Sequence, residues 1–409
     1  MNTYYRNSNA VPSRRRSFSR ERGGNFSRPP FRGSRGGFRG NIGSRIDVSK
    51  FINKAEPMEE QVAYVSKHRF SDFQIDGLIK QNISKKGYEI PTPIQDQSIP
   101  HIIEGKDIVG IANTGTGKTG AFLIPLLNKV MKSRNERVLI IVPTRELAIQ
   151  IEDEYRGFSR GSGLQSACVV GGANINMQMR SLRYNPHFVI GTPGRLKDVI
   201  GRKALDLSRF QTLVLDEADR MLDMGFIGDI RLILSHMQKS RHTLFFSATL
   251  SREIETLIGD FLSNPIRVSV KTGDTAKTVD QDVVRLQGKN KIDVLQDLLS
   301  KPDFGKVLIF GKTKYGVEKL SKTLEARGFK TASIHGNKTQ QHRQRALGAF
   351  KGNQIQILVA TDVAARGLDI PNVSHVINYD VPNCYEDYVH RIGRTGRAGQ
   401  RGQALTFID

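Results

Sequence analysis

Four short runs, 138–142 (VLIIV), 188–190 (FVI), 212–215 (TLVL) and 243–246 (TLFF), are apolar without the alternation of a half-buried strand. Each runs directly into a loop of small or charged residues. Strands that are apolar on both sides must be covered on both sides, which is the condition of a parallel sheet between layers of helices. Helical patterns between the runs supply those layers, so the expected fold class is α/β. Ligands of such sheets gather beyond the carboxyl ends of the strands. The loops that begin at Pro143, Thr192, Asp216 and Ser247 all fall there.

A second series of apolar runs follows at 307–310, 331–334, 355–359, 375–378 and 404–407. A chain of 409 residues exceeds what one hydrophobic core supports, and two tandem globular domains are expected. The first spans 50–271 and the second 282–409, joined by a linker at 272–281 whose first part is polar and aperiodic. Residues 1–49 hold eleven Arg against two acids, Glu21 and Asp47, and are spaced by Phe18, Phe26, Phe31 and Phe38. Such a composition buries no core, so a disordered Arg/Gly-rich tail is expected.

The formal charge of +22 implies self-repulsion unless a polyanion is the partner, and nucleic acid is the usual one. Cys168 and Cys384 form neither a disulfide framework nor a metal-binding spacing, and the nine histidines show no ligand cluster. No stretch approaches 18 apolar residues and the N-terminus lacks an apolar signal core, so no membrane span or secretory leader is expected. A cytoplasmic monomer is.

The run 107–111 leads into Ala112-Asn-Thr-Gly-Thr-Gly-Lys-Thr119. Thr114, Gly115, Thr116 and Gly117 form a loop whose backbone N–H groups can close around phosphate oxygens. Lys118 can reach the β- and γ-phosphates, and the Thr119 hydroxyl can ligate Mg²⁺. Asp216 would hold that Mg²⁺ from a second strand end, leaving Glu217 to orient and deprotonate an attacking water. An ordinary turn or a solvated helix start accounts for either half alone. Both in this order, each after an apolar strand, point to hydrolysis of a nucleoside triphosphate.

In the second domain, Arg394 and Arg397 lie three apart within HRIGRTGR (390–397). On one helical turn both guanidinium groups would point the same way and stabilise charge on a departing γ-phosphoryl group. An exposed arginine face is the alternative for that cluster by itself. Asp362, Arg366 and Asp369 follow another strand end, where Asp369 can accept from a ribose hydroxyl.

The ordered set GYEIPTPIQ (87–95), the phosphate loop, PTRELA (143–148), TPGR (192–195), DEAD (216–219), SAT (247–249), TDVAARGLD (361–369) and HRIGRTGR (390–397) closely resembles the DEAD-box RNA helicase family. The resemblance covers residues 68–409, and the phrasing at 335–339 and 378–383 is most similar to the bacterial RhlE-like branch. It implies two RecA-like domains, ATP as the nucleotide, and RNA as the polyanion. It also implies that Gln95 reads the adenine edge, that Phe70 stacks on the base, and that Asp219 couples to Ser247 and Thr249. His390 would join Arg394 and Arg397 around the attacking water. Loops at Pro143, Thr144 and Arg145, at Gly171 and Gly172, at Thr192, Pro193, Gly194 and Arg195, at Gln340 to Arg343 and at Thr361 would grip the RNA backbone, which positions without reading sequence.

Two departures from the family pattern stand out. Ala112 replaces a glycine, a change that the family tolerates. The chain ends at Asp409 directly after its last strand, where the family adds a further helix, so either that helix is missing or the chain is a piece of a longer one. The expected function is ATP-dependent RNA duplex unwinding or remodelling of RNA–protein complexes, with ribonucleoprotein partners. An ATP-timed RNA clamp or annealing chaperone is the alternative, and a DNA translocase is a third reading.

Overall fold

The structure, a computed structural model, describes residues 47–54, 64–113, 115–270, 279–365, 370, 372–396 and 401–408. In the first lobe, β1 (Ile108–Ala112), β2 (Val138–Ile141), β3 (Ser166–Val169), β4 (Phe188–Gly191), β5 (Thr212–Leu215), β6 (His242–Ser247) and β7 (Ile266–Val270) form one sheet. Their order is β3-β4-β2-β5-β6-β1-β7, and every pairing is parallel. The interior strands β2, β4, β5 and β6 are buried along their whole length, as their unbroken apolar runs require. Helices cover both faces and make two cores, one around Ile99, Phe122 and Tyr155, the other around Leu196, Met221 and Ile258.

The second lobe repeats the design with β8 (Val279–Arg285), β9 (Val307–Phe310), β10 (Thr331–Ile334), β11 (Ile357–Ala360), β12 (His375–Asn378) and β13 (Gly402–Ile408). Their order is β10-β11-β9-β12-β13-β8, again all parallel. The expected two parallel-sheet α/β domains are thus present. Strands β3, β7 and β8 were not anticipated. All three are sheet edges that are not buried along their whole length, and β8 reads VDQDVVR, so the apolar signature of a covered strand is missing.

Two segments fall outside their expected domains. Strand β8 starts at Val279, inside the expected linker, whose preceding residues 271–278 lie outside the described residues. Residues 47–53, assigned in part to the tail and in part to the first domain, pack on the second lobe. Asp47 caps the short helix Val48–Phe51 by accepting from the Ser49 N–H, and Asn53 pairs antiparallel with Gln281. Phe51 is 1% exposed and meets Tyr388 edge-on at 4.8 Å, in a cluster with Val279, Ile392 and Ala404. One apolar anchor in a polar stretch has no periodicity to announce it. The rest of the tail, 1–46, lies outside the described residues, and among the described residues no helix is long and apolar enough to cross a membrane.

Candidate active site

A cleft of about 180 Å³ opens at the carboxyl ends of β1 and β5, and Gln95, Gly117, Lys118, Thr119, Asp216 and Glu217 line it. Residues 115–117 turn the chain from β1 into the helix Lys118–Lys132. Gly117 has φ 93°, and a Cβ there would lie 2.7 Å from the Gln95 amide nitrogen, so only glycine closes the loop in this way. The Gln95 Nε2 donates to the Gly117 carbonyl (3.0 Å) while its Oε1 accepts from the Thr92 N–H (3.0 Å). The buried Lys118 donates from Nζ to the Ala112 carbonyl (2.8 Å), and the Thr116 hydroxyl donates to the Asn113 carbonyl (2.8 Å). Thr114 lies outside the described residues. A helix N-terminus at the cleft favours anionic groups.

Phe70 does not line this cleft. It is 4% exposed and packs edge-on against Phe73 and Tyr88, and Tyr88 is the aromatic at the cleft wall. Beside Gln95, the buried Asp96 fastens the preceding segment: it accepts from the Tyr64 hydroxyl (2.5 Å) and the Lys67 N–H (2.8 Å), and meets His68 Nδ1 at 2.7 Å. Burial alone would raise the Asp96 carboxyl, but these partners hold it below the usual range. Tyr88 and Asp96 were not singled out in the sequence, where neither has a signature of its own.

Beyond β5 the chain turns at Glu217, whose φ of 55° and ψ of 49° are left-handed, uncommon for a residue with a Cβ. Asp216 is buried, and burial pushes its carboxyl up to about 6, helped by Glu217 and Asp219 and opposed by Lys118. Its Oδ1 accepts from the Glu217 N–H (2.9 Å). The Glu217 Oε2 accepts from Arg220 Nη1 (2.9 Å). Asp219 Oδ2 accepts from the N–H groups of Ala248 and Thr249 (both 3.0 Å) and from the Thr249 hydroxyl (3.2 Å). Ser247 joins indirectly, since its hydroxyl donates to the Thr249 carbonyl (2.8 Å) rather than to Asp219.

Mg²⁺ characteristically takes one or two protein carboxylates and completes its shell with water and phosphate oxygens. A buried carboxyl at Asp216 and the Thr119 hydroxyl on the same cleft fit that sparse donor set. Among the described residues no cluster of three or more His, Cys, Asp or Glu forms a denser metal cage.

In the second lobe the helix Tyr385–Ile392 ends at Gly393, so Arg394 lies beyond it and the helical-turn argument for a parallel pair of guanidinium groups does not hold. Arg394 is 3% exposed in a small cleft lined also by His390, Asp362 and Phe310. Arg366, Asp369 and Arg397 lie outside the described residues. Arg391, not weighed in the sequence, donates to both Asp362 oxygens (2.6 and 2.8 Å), to Asn378 Oδ1 (3.1 Å) and to the Asp380 carbonyl (2.7 Å). It locks this helix to the ends of β11 and β12. Burial would raise the Asp219 carboxyl, but Lys118, Arg220 and His390 hold it below its usual range.

On the RNA-facing loops expected from sequence, the Arg145 guanidinium packs onto Gly171 and Gly172, where a Cβ on Gly172 would come within 2.1 Å of Nη1. Arg195 Nη1 donates to the Ala173 carbonyl and to Gln178 Oε1 (both 3.1 Å), which ties the 192–195 loop to the same neighbourhood. Thr144 follows the buried Pro143 and accepts from the Leu147 N–H (3.3 Å) to cap the helix Arg145–Phe158. Thr192 and Pro193 open the helix Pro193–Gly201, beside an unobstructed Gly194. The Thr361 carbonyl accepts from Ala364 and Ala365 at the end of β11. Arg343 is instead turned inward: it is 6% exposed and its Nη2 lies 2.9 Å from Glu146 Oε2 of the first lobe, with Gln340 Nε2 3.4 Å from Oε1.

The DEAD/DEAH box helicase family profile matches residues 92–257 and the helicase conserved C-terminal domain profile matches 290–399. The ATP-dependent RNA helicase CshA of Listeria monocytogenes is 48% identical over 342 residues, covering 83% of this chain and 66% of that protein. The CshA of Limosilactobacillus reuteri is 46% identical over 342 residues, covering 83% of this chain and 69% of that protein. The chain therefore spans about two thirds of the length of these relatives, and their names do not bear on the RhlE-like branch. The S. cerevisiae Dbp5 structure bound to RNA and ADP BeF3 superposes with a TM-score of 0.74 at 28% identity, covering 83% of this chain and 89% of that one. Two profiles in tandem, with a sheet architecture shared across both lobes, identify the chain as a member of the DEAD-box ATP-dependent RNA helicase family.

Proposed function

We propose that this chain is an RNA-dependent ATPase that closes its two lobes on an RNA strand when ATP binds, separating a local duplex or remodelling an RNA–protein complex, and opens on hydrolysis. The observation that carries the reading is the cleft lined by Lys118, Thr119, Asp216 and Glu217, in a chain whose second lobe is held to the first by the buried Arg343–Glu146 ion pair (2.9 Å). ATP binding only to the joined lobes would shift the population toward that arrangement.

In this reading Thr114 to Gly117 cradle the phosphates, Lys118 meets the β- and γ-phosphates, and Gln95 meets the adenine while bracing the loop. Phe70 backs the aromatic wall that Tyr88 presents, and Asp369 takes a ribose hydroxyl. Glu217 orients the attacking water and accepts its proton, while Arg394, Arg397 and His390 approach the γ-phosphoryl from the second lobe. Thr119 and Asp216 would hold Mg²⁺, which when bound neutralises phosphate charge. Asp219 ties the Glu217 loop to Ser247 and Thr249. RNA phosphates would be met by Pro143, Thr144, Arg145, Gly172, the 192–195 loop and Thr361, with Arg343 acting on them through the lobe contact. A cytoplasmic monomer working on ribonucleoprotein belongs to the same reading.

Glu217→Gln tests it: ATP binding should persist while RNA-stimulated hydrolysis falls at least about 10²-fold. RNA and DNA strands of matched sequence should differ, with only RNA stimulating hydrolysis. Equal stimulation by DNA would favour the translocase, and annealing without strand separation would favour the clamp.

A further inference from the structure

Arg220 has no part in the mechanism above, yet it is the residue that touches Glu217. Its Nη1 lies 2.9 Å from Glu217 Oε2, and the two side chains are only 4% and 5% exposed. Glu217 lines the nucleotide cleft and Arg220 does not, so the arginine meets the carboxylate from behind. We infer that Arg220 is a positioning residue: by gripping Oε2 it fixes the Glu217 carboxylate so that Oε1 is left for the attacking water. The inference rests on Glu217 acting on that water.

Three features of the site make such a grip necessary. Glu217 stands at the left-handed turn between β5 and the helix Ala218–Asp223, so its side chain is not set by a regular helix or strand. The charged groups around the loop include two further carboxylates, Asp216 and Asp219, against Lys118, Arg220 and His390. Lys118 is directed to the Ala112 carbonyl and the phosphate loop, and His390 belongs to the other lobe. Arg220 is therefore the countercharge within the same turn, and a buried carboxylate deprived of its partner is costly and would reorient.

The arginine is itself held. Its backbone N–H donates to Asp219 Oδ1 (3.0 Å), while Asp219 Oδ2 takes the Ala248 and Thr249 N–H groups. The grip on Glu217 thus starts from the same turn that the 247–249 loop engages. Misplacing a reacting group by about 1 Å can cost about 10²-fold in rate without affecting binding.

The test is a double-mutant cycle. Arg220→Met and Arg220→Lys are made in the wild-type and in the Glu217→Gln chain. A fluorescent ATP analogue reports affinity, and single-turnover hydrolysis at saturating RNA reports the chemical step. Arg220→Met should slow hydrolysis at least about tenfold with ATP affinity unchanged within about twofold, and Arg220→Lys should recover most of the loss. In the Glu217→Gln chain neither change should slow the residual rate further. A wild-type rate in Arg220→Met, an equal loss in both backgrounds, or a loss of ATP affinity parallel to the loss of rate would overturn the assignment. Should Arg220→Met fail to fold, Arg220→Gln enters the same comparison with the same expected outcomes. Failure of the underlying reading looks different, because Glu217→Gln itself would then keep its turnover.

Discussion

Glu146 and Arg343 join the two lobes through an ion pair 2.9 Å long in which neither side chain is more than 8% exposed. Glu146 opens the first turn after the Thr144 cap, and Arg343 sits on the helix Gln340–Lys351. Burial depresses the Arg343 pKa, and the adjacent Glu146 counters that by favouring the charged guanidinium. Removing one partner of a buried pair leaves an uncompensated charge and costs about 3–5 kcal/mol. Because the pair spans the lobes, that cost should fall on their joined arrangement. Arg343→Ala should raise the RNA concentration needed for half-maximal ATPase, and the double change Glu146→Ala with Arg343→Ala should restore part of it. An RNA dependence identical to wild type in Arg343→Ala would remove the pair from lobe closure.

Lys118→Ala should weaken ATP binding itself, in contrast to Glu217→Gln. A charged hydrogen bond to phosphate is worth about 1.5–3 kcal/mol, so affinity should fall about tenfold or more. Titration with a fluorescent ATP analogue distinguishes the two variants, and equal affinities for both would contradict the division of roles.

Phe51→Ala should destabilise the second lobe by about 3–5 kcal/mol, the usual cost of emptying a buried phenylalanine site. Tyr388, against which Phe51 packs, is two residues from His390, so RNA-stimulated hydrolysis should fall as well. Denaturant unfolding checks the first effect. A chain starting at residue 47 should unfold like the full chain, whereas one starting at residue 55 should lose the same stability as Phe51→Ala.

Deleting residues 1–46 should weaken RNA binding and flatten the dependence of log affinity on log salt, because eleven arginines are lost and each phosphate contact contributes about −0.7 to −0.9 to that slope. The maximal ATPase rate should hold. An unchanged salt slope would show that the tail does not tether RNA.

The Glu318 carboxyl is held down to about 2 by Ser333 (2.6 Å), Lys338 (2.9 Å) and His335 (3.2 Å), below the ordinary 4.5. A folded value below the unfolded one means stabilisation that is complete above pH 4.5 and lost as pH falls toward 2. With the side chain 29% exposed, solvent screening leaves about 1–2 kcal/mol. Glu318→Gln should flatten the acid limb of the stability curve of the second lobe, measured by denaturant melts across that window. A curve that keeps its acid limb would assign the loss to other carboxylates.

Strand identity was legible wherever a strand is covered on both faces, as at 212–215, because burial on both sides demands an unbroken apolar run. The phosphate loop was legible because its φ angles admit little but glycine at 115 and 117. Edge strands such as β8 carry polar residues on their open side and left no such mark. Spacing misled at Arg394, since a helix was assumed where Gly393 ends one. Which partner each buried charge would find, Arg220 for Glu217, Arg343 for Glu146, Arg391 for Asp362, was decided only by tertiary structure. The last two pairs are separated by 197 and 29 residues, whereas Glu217 and Arg220 are three apart at the start of one helix, and the fold decides there that both are buried. Local sequence dictates what a residue can do; desolvation in the folded core dictates which opposite charge must stand beside it.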